Sequence, residues 1–277
     1  MNPLTFPSRQ IGDFQVTAVS DGNMSASLEL LSGITTEDAA FIQHRAGIAE
    51  SGNIHINGYL IRGRGRTILV DAGTGGLNNA GGQLKANLAA IGISHNDVDT
   101  VLLTHCHPDH IGGLLDADKQ PVFQHAELLL HYREADYWRD DEKRKIAERS
   151  QRNFMLARQT LEAYARNVRL FSEGTITEGI SAVWLPGHTP GHTGLRIDSE
   201  EKSLLIWGDI VHYPHIQTAQ PAVSILFDAD PALAEATRQK ILAQAVREKL
   251  LIAGMHLGPA GFATVSRADT GYRLSCS

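Results

Sequence analysis

Thr104-His105-Cys106-His107-Pro108-Asp109-His110-Ile111-Gly112-Gly113 is the stretch whose reading decides the rest of the chain. It follows a short apolar run, Val101-Leu102-Leu103, which reads as a buried strand. Residues two apart on a strand point to the same side, so His105 and His107 face one point where that strand ends. Pro108 has no N–H to donate and is expected to stop the strand. Asp109 and His110 are then expected in a turn, with Gly112-Gly113 allowing a sharp bend. Three imidazoles and a carboxylate within six residues are metal-ligand chemistry, suited to zinc and related divalent ions. One histidine would read as an ordinary loop residue; four ligand-type residues directly after an apolar strand do not.

The chain has 277 residues, 42% of them hydrophobic, and a formal net charge of −6, enough material for a large core. No apolar run approaches the roughly 18 residues of a membrane span, so no membrane partner is expected. Met1–Gln10 does not read as a secretory signal, which needs a basic region followed by an apolar one. Two cysteines, Cys106 and Cys276, offer no disulfide framework. A cytoplasmic location is the default expectation. The mild acidity argues against a nucleic-acid groove, which needs a basic patch.

Outward from the histidines, Ile11–Ser20 reads as a strand, with Asp21-Gly22 as its turn. Asn23–Ser51 shows little period. Asn53–Asp71 reads as a hairpin through Gly63-Arg64-Gly65, with Asp71 organising a loop near the histidines. Leu84–Ile91 fits a short helix and Ser94–Asp99 a capped turn. Pro121–Phe123 and Glu127–His131 carry strand character, and His125 and His131 read as packed or exposed rather than ligating. Glu134–Asn167 reads as one long helix or two shorter ones, with Ile146, Phe154, Leu161 and Tyr164 at helical spacing. Its charge run at 139–145 is a solvated face.

The second chemical stretch is Pro186–Thr193 (PGHTPGHT), a preset loop after the apolar strand Ile180–Leu185. We read His188 as the ligand and His192 as a loop brace, of the kind metal sites need. Leu195–Ile197 and Leu204–Trp207 form a further hairpin, and Trp207-Gly208-Asp209 puts a carboxylate at a strand end, where two oxygens can bridge two cations. Asp230–Arg247 reads as a helix with Pro231 in its first turn. Leu250–Met255 is a buried strand ending at His256, the only histidine after His215. Four separate strand ends thus finish in ligand-type residues.

These residues resemble the metallo-β-lactamase superfamily. Its His-x-His-x-Asp-His signature stands here as His105-Cys106-His107-Pro108-Asp109-His110, and its later ligands match His188, Asp209 and His256. The resemblance covers most of the chain and implies an α/β (α+β) fold, a four-layer αββα sandwich. It further implies a single domain, 1–277, with a helical insertion around 132–167. It implies that His105, His107 and His188 hold one metal, that Asp109, His110 and His256 hold another, and that Asp209 bridges. Gly208–His212 and Val223–Pro231 resemble more narrowly the lactonase and methyl-parathion-hydrolase-like branch. That branch often has Pro-Phe-Pro-Gly after the last histidine; here His256 is followed by Leu257-Gly258-Pro259-Ala260, so the pocket wall is expected to differ.

The expected cofactors are two divalent ions, zinc first, with manganese, cobalt or iron as alternatives. Two ions about 3.5–4 Å apart lower the pKa of a shared water towards 7, giving a hydroxide that attacks an ester carbonyl. The expected substrate is a small-molecule lactone, such as an acyl-homoserine lactone, or a related ester. Asp109 is expected to relay a proton to the leaving alkoxide, and His212 and Tyr213 to contact the carbonyl oxygen. The rivals are an organophosphate triesterase, an iron-dependent persulfide oxygenase and a non-catalytic binding protein retaining the fold. Pro108 stands where the di-iron oxygen-reducing branch carries Glu, and proline cannot ligate. Cys106 reads as a small buried residue. The family suggests a homodimer.

Overall fold

A computed structural model describes residues 6–146 and 150–276. The first half of the chain forms strands β1 (Ser8–Ile11), β2 (Phe14–Ser25), β3 (Leu31–Ser32), β4 (Asn53–Gly63), β5 (Arg66–Val70), β6 (Thr100–Leu102), β7 (Glu127–His131) and β8 (Val168–Phe171). All but β3 make one sheet, in the order β1-β2-β4-β5-β6-β7-β8. The second half forms β9 (Gly174–Thr177), β10 (Ile180–Trp184), β11 (Thr193–Ser199), β12 (Lys202–Ile206), β13 (Ser224–Ile225), β14 (Leu251–Ala253), β15 (Phe262–Arg267) and β16 (Tyr272–Cys276). The second sheet runs β16-β15-β14-β12-β11-β10-β9, and β13 pairs with β3 outside both sheets. The helices are α1 (Thr36–Arg45), α2 (Leu84–Ala90), α3 (Pro108–Ile111), α4 (Tyr132–Arg139), α5 (Asp141–Ile146), α6 (Gln151–Ala163), α7 (Pro214–Ala219) and α8 (Pro231–Glu248).

Strand alternation builds the layers. Leu102 and Leu129 point between the sheets, where they meet Ile197, Leu204 and Ile206, while their neighbours Val101, Leu103, Leu128 and Leu130 point outward. On that outer face they pack against Leu88 of α2, Trp138 of α4 and Phe154 and Leu161 of α6. On the second sheet Leu205 and Ile252 point outward instead, onto Ile241, Leu242 and Ala245 of α8. Both faces of each sheet are therefore covered, so strands in both read as near-continuous apolar runs. The result is the αββα sandwich.

Several boundaries differ from the sequence reading. The turn after β1 falls at Gly12-Asp13; β2 then runs on through Asp21-Gly22 by a bulge between Ser20 and Gly22. A bulge absorbs the glycine that reads as a turn. α1 was not legible in Asn23–Ser51. Pro121–Phe123 forms only an isolated bridge from Pro121 to Leu115. Glu134–Asn167 holds the separate helices α4, α5 and α6, with residues 147–149 of that stretch, like Met1–Thr5 of the N-terminal segment, outside the described residues. Ile146 is 82% exposed, so helical spacing misplaced it in the core. No helix among the described residues is long and apolar enough to cross a membrane.

The parallel pairs β5–β6 and β12–β14 position the chemistry. In open α/β sheets, ligands gather beyond the carboxyl ends of such strands. Here Asp71 follows β5, His105 follows β6, Asp209 follows β12 and His256 follows β14.

Candidate metal centre

β6 ends at Leu102, three residues before His105, so His105 and His107 are aimed by a loop rather than by strand pleat. Asp71 fixes that loop. Its carboxylate accepts from the Thr104 N–H at 2.8 Å and from Thr104 Oγ1 at 2.7 Å. Asp71 holds a left-handed φ of 57°, uncommon for a non-glycine residue and sustained here by those bonds. His107 precedes α3 and Pro108 occupies its first turn. Proline there starts a helix, because its missing N–H would have no partner in that position anyway. Asp109 and His110 consequently lie on a one-turn helix, not in the expected turn.

Three imidazole nitrogens converge. His105 Nε2 and His107 Nδ1 are 3.0 Å apart, His107 Nδ1 and His188 Nε2 2.9 Å, and His188 Nε2 and His105 Nε2 3.2 Å. Burial pushes both His105 and His107 well below the ordinary imidazole range, with neighbouring histidines adding to it, so their nitrogens carry lone pairs. Protons cannot satisfy three nitrogens that all face one another. A tetrahedral zinc with nitrogens at 2.0–2.1 Å would space them by about 3.3 Å. The donor set fits such an ion.

A second set adjoins it. Asp209 Oδ2 lies 3.2 Å from Nε2 of each of His110, His212 and His256, 3.6 Å from His188 Nε2 and 3.8 Å from His105 Nε2. Asp209 Oδ1 is buried and has no hydrogen-bond partner among the described residues. A buried carboxylate oxygen left without a donor is costly and calls for a cation. Asp109 Oδ2 completes the set, 3.4 Å from His110 Nε2 and 3.5 Å from His256 Nε2. Ligand atoms of Asp109, His110, Asp209 and His256 all lie within 4.8 Å of one another, as do those of His105, His107 and His188, and of His188, Asp209 and His212. Burial works to raise both carboxyls, yet the imidazoles around them, His110 foremost, hold Asp209 well below and Asp109 below the usual carboxylate range. Burial works against the His110 cation, but Asp209, Asp109 and Asp71 together raise it well above its usual range.

The far sides of four of the five rings are held too. His110 Nδ1 meets Asp71 at 2.6 Å, His188 Nδ1 meets Asp228 at 2.9 Å, His256 Nδ1 meets the His55 carbonyl at 2.9 Å and His105 Nδ1 meets Thr104 Oγ1 at 3.0 Å. Such partners fix tautomer and ring orientation, leaving Nε2 to ligate. His192 does not join either set: its Nδ1 donates to the Leu185 carbonyl at 2.8 Å, and its Nε2 accepts from the Asp209 N–H at 2.9 Å. It thereby sets the backbone that carries Asp209. Gly208 makes that contact fit, since a Cβ there would come within 2.5 Å of His192 Nε2.

All seven expected ligands thus stand at one edge of the sandwich. His212 lies beside Asp209, with Nδ1 buried and without a hydrogen-bond partner among the described residues. Tyr213 is a correction. Its hydroxyl donates to the Ala26 carbonyl at 2.7 Å, and its ring packs among Ile54, Ile216 and Val223, so it serves the core rather than a substrate oxygen. Cys106 is buried, and burial pushes its thiol well up. Sequence reasoning assigned nothing to Asp228, which braces His188, or to Glu134. Asp228 lies in the loop before α8 and Glu134 in the first turn of α4, both in ordinary sequence, and only the fold brings them to the histidine loops.

The stretch 52–256 matches the model of the family described as metallo-beta-lactamase superfamily. Among solved structures, hydrolase AbOPH in the beta lactamase superfamily is 29% identical, with a TM-score of 0.89 over 97% of this chain and 96% of that one. AidC, a dizinc quorum-quenching lactonase solved with the product N-hexanoyl-L-homoserine, is 23% identical, with a TM-score of 0.91 over 100% of this chain and 99% of that one, a likeness of fold. Ribonuclease Z of Mycolicibacterium gilvum (strain PYR-GCK) is 44% identical over 57 residues, which span 21% of this chain and 17% of that protein.

Proposed function

The chain belongs to the metallo-β-lactamase superfamily, and from that premise we propose that it is a dinuclear metal-dependent hydrolase that opens a lactone or cleaves a related ester. The observation that carries this reading is the pair of adjoining buried donor sets, His105, His107 and His188 beside Asp109, His110, Asp209 and His256. In this reading each set would hold one divalent ion, zinc first, and the Asp209 carboxylate would be available to both. When bound, such ions lower the pKa of water and polarise a carbonyl or phosphoryl oxygen. The whole chain acts as one domain, with 132–167 as its helical insertion.

The chain's own residues supply the rest. Asp109 is one of two candidate ligands left part-exposed, its side chain 16% open to solvent, and its carboxylate takes the proton that the attacking water loses and hands it to the leaving alkoxide. His212, with its ring in the cluster, contacts the substrate carbonyl oxygen. The Phe227 ring lies 6.2 Å from that of His212. Phe227 is 41% exposed and its neighbour Leu226 55%, an apolar lip suited to the tail of an acyl ester. Apolar side chains at the mouth of a polar site bind a substrate's tail while the polar groups orient its reacting end.

The test is to load the protein with zinc or manganese and assay lactones of varied ring and tail against an aryl phosphotriester, with Asp209→Ala alongside. The expected result is lactone opening in the parent, a weaker or null phosphotriester rate, and loss of turnover in the variant. Hydrolysis by Asp209→Ala at the parent rate would remove the shared carboxylate from the reading. A faster phosphotriester rate would make the protein a triesterase instead.

A further inference from the structure

Glu134 is a carboxylate with no solvent exposure, in the first turn of α4, inside the stretch that reads from sequence as an insertion. It accepts four hydrogen bonds. Oε1 takes the Cys106 N–H at 2.9 Å and Trp138 Nε1 at 2.6 Å. Oε2 takes Thr189 Oγ1 at 2.6 Å and the Gly191 N–H at 3.1 Å. The first oxygen therefore holds the peptide between His105 and His107, and the second holds the loop that follows His188. These segments lie 81 residues apart in sequence at the His107–His188 contact and meet on one side chain.

The surroundings are built for this contact. A Cβ on Gly191 would lie 2.2 Å from the Glu134 nitrogen, so only glycine lets the loop come so near α4. Trp138, one turn on, sets its indole edge-on to His107, with ring centroids 5.6 Å apart. A carboxylate buried in apolar surroundings is retained only when its lone pairs are met, and here donors from both loops meet them. The three-histidine set contains no carboxylate, and Glu134, whose two oxygens only accept, is the carboxylate bonded to both of its loops.

We infer that Glu134 is the positioning residue of the three-histidine set, clamping the 105–107 and 188–191 loops at the spacing and charge that one divalent cation requires. This inference rests on the reading of two metal sets given above. Its effect is selective: the set built from Asp109, His110 and His256 is braced by Asp71 and the His55 carbonyl and has no bond to Glu134. Glu134→Gln keeps the shape but turns an NH₂ group towards donors on one of the two loops.

The experiment is a cobalt(II) titration of the metal-stripped full chain, read by visible absorption, with bound metal counted by elemental analysis. His188→Ala and His256→Ala identify which binding class belongs to which set. The parent is expected to take two equivalents. Glu134→Gln is expected to weaken the class missing in His188→Ala by about 10–100-fold, the usual cost of losing such a partner, while the class missing in His256→Ala keeps its parent affinity. Thr189→Val, which removes a single donor, is expected to weaken the same class several-fold, and it decides the matter if Glu134→Gln does not fold. Equal weakening of both classes, or parent affinity for both in either folded variant, would overturn the inference. A parent that takes fewer than two equivalents would remove its premise. Selective loss in the variants, beside a parent that takes two equivalents but hydrolyses no ester, would leave the clamp standing and refute the proposed reaction.

Discussion

Arg238→Met tests how the segment between Asp209 and α8 is held. Arg238 is 1% exposed and makes a fan of bonds, to the Ile210 carbonyl at 2.7 Å and to the Pro221 and Val223 carbonyls at 2.8 Å each. Its remaining nitrogen lies 3.6 Å from Asp228, the brace of His188. Methionine fills similar space but takes this donor from the Ile210 and Pro221 carbonyls, leaves the Val223 carbonyl with Gln217 Nε2 alone, and leaves the Asp228 carboxylate without the guanidinium. Removing one partner of a buried ion pair costs about 3–5 kcal/mol. With an unfolding entropy of about 2.1 cal/mol/K per residue, a chain of this length loses about 5–9 °C of Tm. Scanning calorimetry of the metal-stripped protein measures this directly. Arg238→Lys is expected to recover only part of the loss, because a single ammonium lacks the planar fork that reaches several carbonyls at once. A Tm within 2 °C of the parent for Arg238→Met would refute the view that this guanidinium organises the segment.

Three further outcomes are expected. Tyr59→Phe removes a hydroxyl that donates to the Gly261 carbonyl and accepts from the Gly254 N–H at 2.9 Å across the two sheets, so urea unfolding should show a loss of about 1–3 kcal/mol. Burial, with His188 beside it, pushes His192 down to about 3 from 6.5. The unfolded chain therefore binds the extra proton first, and metal-free stability should fall as pH drops from 6.5 towards 3. His192→Gln should flatten that slope relative to the parent in pH-dependent denaturation; an unchanged slope would count against it. Finally, Tyr213→Phe should lower stability by about 1 kcal/mol with lactone turnover intact, whereas His212→Ala should lower kcat. Steady-state kinetics showing the reverse would restore Tyr213 to the substrate.

How much of this was legible before folding depends on the kind of signal. The hairpin of β4 and β5, the pair β11 and β12, and helix α8 each announce themselves through local rules: alternation, glycine turns, and Asp230 with Pro231 at a helix start. The candidate ligands were legible because each cluster follows an apolar run, and such runs end at sheet edges. Ile146 misled because spacing reports a helix face but not whether anything packs against it. Asp21-Gly22 misled because a bulge and a turn share the same residues.

By itself, then, the sequence singled out the metal-type side chains that the fold gathers and determined that they sit where strands stop. Only the tertiary structure decided who holds them in place: Asp71 under His110, Asp228 under His188, His192 under the Asp209 amide, and Glu134 between two loops. It also turned Tyr213 away from the site to which its place in the chain had assigned it. The physical reason is that a ligand advertises itself by residue type and local setting. A brace is an ordinary carboxylate or imidazole until packing strips away its water and leaves one distant partner to satisfy it.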